Sequence, residues 1–133
     1  MKRRAARELA FQLTYEMVMT DAFNTETKAE LLANADGDSR GYVESVIAGI
    51  EQHKAEIKAL IIKYARGYEF DRIYKTDLAV LYLACYEIMF TYTPKAVVAN
   101  EAVEIAKAYS DTQSYSFVNG ILASVIKGES ANE

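Results

Sequence analysis

Apolar residues recur at helical spacing along most of the chain, and one stretch departs from that pattern by being apolar nearly all round. Residues Thr76 to Phe90 read TDLAVLYLACYEIMF, with Asp77 and Glu87 as the only charges. Leu78, Leu81, Cys85 and Ile88 share one helical face; Val80, Leu83, Ala84 and Met89 occupy the others. A helix without a polar face must be enclosed by other elements. The stretch is shorter than the roughly 20 apolar residues of a bilayer span. Its length and the run Leu83-Ala84-Cys85 favour a helix over a buried strand. The spacing therefore predicts an all-α fold built around a central buried helix.

The flanking segments predict its neighbours. Residues 3–19 carry Leu9, Ala10, Phe11, Leu13, Thr14, Met17 and Val18 at helical intervals, and 26–33 form a short amphipathic piece with Leu31 and Leu32. Residues 34–41 (NADGDSRG) read as a turn between helices. A helix follows over 42–52, with Val43, Val46, Ile47 and Ile50 on one stripe. Another covers 54–66, with Ile57, Leu60, Ile61 and Tyr64 inward and Gly67 as its stop. Beyond the central helix, Thr93 is expected as an N-cap with Pro94 at the first helical position of a helix running to Tyr109. Residues 110–116 read as a polar turn, and 117–127 as the last helix, ended by Gly128. Inside it, Asn119-Gly120 is expected to let two helices approach closely.

At 133 residues and 51% hydrophobic content, the chain is read as one folded domain with a core of its own. The net charge of −4 excludes general polyanion binding, so any nucleic-acid site must be a local basic patch or one shared with a basic partner. That patch has a candidate. Lys2, Arg3, Arg4 and Arg7 crowd the start of the first helix, where the helix dipole disfavours cations. On this reading, replacing Arg3, Arg4 and Arg7 together leaves folding intact.

Other chemistry is sparse. The lone Cys85 lies in the apolar run and reads as a core thiol. His53 reads as a helix-end group, with no second ligand for a metal. The acids of 34–41 lack calcium-loop spacing. Glu101 and Glu104 have no nucleophile or pocket motif beside them, and no phosphate-cradling glycine loop occurs. These absences predict a binding module without cofactor or catalysis. No apolar signal segment follows the basic start, which predicts a cytoplasmic protein.

The chain resembles the NusB family of bacterial transcription antitermination and RNA-processing factors. The resemblance rests on Arg3-Arg4, Ala6-Arg7-Glu8, Gln12 and Tyr15; on Ala84-Cys85-Tyr86-Glu87 and Pro94; and on the runs from Asn100 to Lys107 and from Phe117 to Leu122. It implies about seven helices in two subbundles and no catalytic activity. It also implies binding of boxA-type single-stranded RNA together with NusE, the ribosomal small-subunit protein, within an RNA polymerase antitermination complex serving rRNA operons. Carried over by position, Arg3, Arg4 and Arg7 with Lys2 match the RNA-contacting terminus, and the segment of Gln113, Ser116 and Phe117 a second RNA-contacting region. Tyr15 and Asp77 match positions facing NusE. Gln113 stands where an acid is common, Ser116 where a base is frequent, and Tyr82 where arginine is frequent. Two other readings are a domain serving an RNA methyltransferase, which the lack of a cofactor loop disfavours, and a structural homodimer that hides its RNA surface.

Overall fold

A computed structural model describes residues 3–110 and 114–130. The described residues form helices α1 (Arg3–Thr20), α2 (Thr25–Leu32), α3 (Gly37–Gln52), α4 (Lys54–Tyr64), α5 (Lys75–Phe90), α6 (Lys95–Tyr109) and α7 (Ser114–Ser130), with a single 3-10 turn at Phe70–Arg72 and no strand. The expected central helix is α5, where every residue from Asp77 to Ile88 is buried. It packs against α1, α3, α4, α6 and α7, and α6 pairs with α7. This enclosure explains the missing polar face.

The amphipathic stripes sit as their periods predict. Val43, Val46, Ile47 and Ile50 of α3, and Val98, Ala102 and Ile105 of α6, are buried, as are Val118, Ile121, Leu122 and Val125 of α7. Cys85 is fully buried, and burial pushes its thiol up to about 12, so it is an inert core group. His53 joins α3 to α4; its ring stacks on Phe90 at 3.9 Å between centroids, and its Nδ1 lies 2.9 Å from Glu56 Oε1. Among the described residues no helix is long and apolar enough to cross a membrane.

Four local expectations are corrected. The turn predicted over 34–41 is the start of α3: Asp36 caps it by accepting from the Ser39 amide at 2.8 Å, so Gly37 and Asp38 are already helical. Pro94, not Thr93, is the cap residue of α6. Gly128 does not end α7, which runs to Ser130; a Cβ there would collide with the Tyr64 ring, so this glycine permits α7 to approach α4. Gly120, expected in that role, faces open space.

Candidate nucleic-acid interface

The basic start of α1 divides into an inner and an outer set. The first turn of α1 carries no acid, and its arginines find carboxylates on other helices instead. Arg7 lies on the buried stripe with Ala6, Ala10 and Phe11, and is only 6% exposed. Its Nε and Nη2 donate to Oε1 and Oε2 of Glu87 at 3.0 and 3.1 Å. Glu87, 1% exposed within α5, also accepts from the Tyr42 hydroxyl at 2.7 Å. Burial works against the charge on Arg7, yet the hydrogen bond and charge of Glu87 prevail and hold the guanidinium above its ordinary range. Burial, then Glu87, pushes the Tyr42 phenol far up. This corrects the expectation for Arg7: its fork is engaged inside the protein and is not offered to phosphate.

Arg3 and Arg4 form the outer set. The Arg3 guanidinium lies over the Tyr42 ring, 4.1 Å from its centroid, with Nη2 3.6 Å from Asp38 Oδ2. Arg4 makes a two-pronged contact with Glu101 of α6, Nε to Oε2 at 3.0 Å and Nη2 to Oε1 at 3.1 Å. Its side chain is 62% exposed, so solvent weakens this pair. Lys2 and Gln113 lie outside the described residues. Ser116 is exposed on the first turns of α7. Phe117, half-buried beside it, meets the Tyr68 ring edge-on at 4.7 Å.

The residues expected to face a protein partner separate as well. Tyr15 borders a groove of about 290 Å³ lined by Phe11, Gln12, Thr76 and Tyr109. The Phe11 and Tyr109 rings lie 4.9 Å apart, and Tyr109 donates to Glu8 Oε2 at 3.2 Å. Asp77, next to this groove in sequence, is 2% exposed and accepts from Ser110 Oγ at 2.9 Å, so it joins α5 to the end of α6 and presents no open charge. Tyr82 is likewise buried, on a different side of α5 facing the end of α1. Sequence reasoning missed Tyr42 and Glu87. A carboxylate inside an apolar run was the available signal, because a buried charge requires a partner.

The sequence model of the NusB family matches residues 4–127. This chain belongs to the NusB family. It is 40% identical over 130 residues to the transcription antitermination protein NusB of Acetivibrio thermocellus, covering 96% of this chain and 90% of that one. The NusB of Symbiobacterium thermophilum is 37% identical over 139 residues, covering 96% and 91%. Among solved structures, T. maritima NusB superposes with a TM-score of 0.88 at 32% identity, covering 96% of this chain and 92% of that chain. A structure of the antitermination factors NusB and NusE with double-stranded RNA matches with a TM-score of 0.85 at 25% identity, covering 95% and 96%.

Proposed function

We propose that this protein is a transcription antitermination factor that binds boxA-type RNA together with the ribosomal protein NusE and promotes transcription of rRNA operons. The observation that carries this reading is the layout of α1. Its exposed arginines, Arg3 and Arg4, stand at one end, and the aromatic groove bordered by Tyr15 opens about 16 Å further along the same helix. Two arginine forks suit phosphate oxygens and can stack on an unpaired base. Two arginines on a chain of net charge −4 make a small electrostatic footprint, which a basic partner seated in the adjacent groove would enlarge.

In this reading Lys2, Gln113, Ser116 and Phe117 extend the RNA surface and Tyr15 anchors the protein partner, with Asp77 supporting its groove from within. The chain acts as one domain, works in the cytoplasm and catalyses no reaction. Anisotropy of fluorescent boxA RNA, measured with this protein, NusE and the mixture, tests the proposal. Tight binding by the mixture and weak binding by either alone is expected. Equal binding by NusE alone would overturn it.

A further inference from the structure

A second cleft, of about 470 Å³, lies between the end of α1, the α3–α4 junction, the 3-10 turn and the start of α5. Its volume is in the range of small-ligand sites, roughly 300–1,000 Å³. Met17 and Leu78, both buried, supply an apolar floor, and Phe70 a half-buried wall. Lys54, Lys58 and Lys75 stand around it, against Asp21 and Glu51. The cleft is therefore locally positive on an acidic protein.

The acids do not cancel the lysines where it matters. Asp21 adopts the left-handed conformation at φ 69°, just beyond α1, and there its carboxylate and its backbone carbonyl both accept from Lys54 Nζ, at 2.6 and 3.0 Å. Lys58 Nζ sits 4.8 Å from the centre of the Phe70 ring, and Lys75 makes no ion pair among the described residues. Glu51 is exposed at the end of α3.

Two helix starts meet this cleft. Lys54 and Ala55 open α4, and Lys75 opens α5; neither helix has a side-chain cap from the residue before it. Both starts carry partial positive charge, so Lys54 and Lys75 oppose the dipoles on which they stand. A bound anion would reverse that penalty.

An independent observation comes from the floor. Tyr82 is 4% exposed, lines the cleft, and its hydroxyl makes no hydrogen bond among the described residues. Burial, with Asp21 adding to it, pushes this phenol up to about 12. The hydroxyl is not cut off from solvent, so it stands at the cleft as an O–H donor without a protein acceptor among the described residues, available to a ligand.

We infer that this cleft binds a phosphate group, received by Lys58, Lys75 and the Tyr82 hydroxyl. Lys58 of α4, Lys75 of α5 and Tyr82 line the same cleft, a set of cationic and hydroxyl donors that suits a phosphate oxyanion, and the apolar floor accommodates the organic body of a phosphate ester of mononucleotide size. The site lies beyond the far end of α1 from Arg3 and Arg4, so it is separate from the proposed RNA surface.

Amide NMR titrations of the full chain at constant ionic strength, with inorganic phosphate, uridine monophosphate and a short RNA as separate probes, test the assignment. Saturable shifts at Lys54, Ala55 and Lys75 are expected with phosphate and with the mononucleotide. Tyr82→Phe, which keeps the buried ring, and Lys75→Gln should each weaken binding by about tenfold, the effect of losing one hydrogen bond to a charged group. Lys63→Gln, on α4 but turned toward Glu129, should change nothing. Saturation by RNA alone would assign the phosphate to a nucleic-acid backbone and overturn the small-ligand form. Absence of saturable shifts with every probe, or Tyr82→Phe binding like wild type, would overturn the site itself.

Discussion

Arg7 and Glu87 stand 80 positions apart in sequence and meet in a two-pronged ion pair, at 3.0 and 3.1 Å, inside the protein. Removing one member leaves the other charge buried without its partner, which costs about 3–5 kcal/mol. Arg7→Ala should therefore lower the melting temperature sharply, as read by thermal circular dichroism. Arg7→Met combined with Glu87→Leu should recover much of the loss, because it removes both charges. The triple replacement of Arg3, Arg4 and Arg7, which sequence reasoning expects to fold normally, should instead be destabilised through Arg7 alone.

RNA binding should depend on the two outer arginines. Arg3→Ala with Arg4→Ala should leave the fold intact and reduce the slope of log affinity against log salt by about 1.4, at about 0.7 per single-strand contact. A salt titration of boxA RNA with the NusE complex measures this. Parallel curves for wild type and variant would place the RNA elsewhere.

In the proposed RNA contact, Glu101 would compete with phosphate for the Arg4 fork. Glu101→Gln should raise RNA affinity by about two- to fivefold, a small gain because the exposed pair is weakened by solvent. The hydrogen bond from Arg4 holds the Glu101 carboxyl below its ordinary value of 4.5. The sign follows from that depression: the pair is fully present above the ordinary carboxyl range and is lost as pH falls through the lower folded value. Between pH 6 and 8 the gain from Glu101→Gln should thus be constant.

The protein-partner face needs two probes. Tyr15→Asp should weaken NusE binding at least about tenfold with under about 1 kcal/mol of stability lost, because Tyr15 borders the groove from an exposed position. Asp77→Lys should lower stability by several kcal/mol, since it forces an ammonium into a buried site where Ser110 donates. Calorimetric titration alongside thermal melts separates the two effects.

The helical skeleton was legible because burial leaves a periodic trace. The enclosure of α5 follows from its missing polar face, and the stripes of α3 and α6 follow from spacing. Boundaries were less legible where one residue type serves two purposes. Asp36 and Gly37 look like a turn until the Asp36 carboxylate is seen capping α3, and Gly128 looks like a stop until Tyr64 is seen lying against it. At the site, the arginines were visible but their division was not. Arg7 falls on the same stripe as Ala10 and Thr14, which was a signal of burial. The identity of its partner, Glu87, is a tertiary pairing that no local period encodes. Asp77 misled for a related reason, because a carboxylate at a helix start looks the same in sequence whether it faces a partner or the inside.

Tyr42 links the interior of the protein to its surface. Its hydroxyl is fastened to Glu87 and its ring carries the Arg3 guanidinium. Arg3 has therefore given up part of its rotamer freedom before any ligand arrives, and ordering such a side chain on association otherwise costs about 0.5–1.5 kcal/mol. In the RNA contact proposed for Arg3, the buried Arg7–Glu87 pair thus reduces the entropy lost on binding, and loosening that pair should weaken the complex as well as the fold.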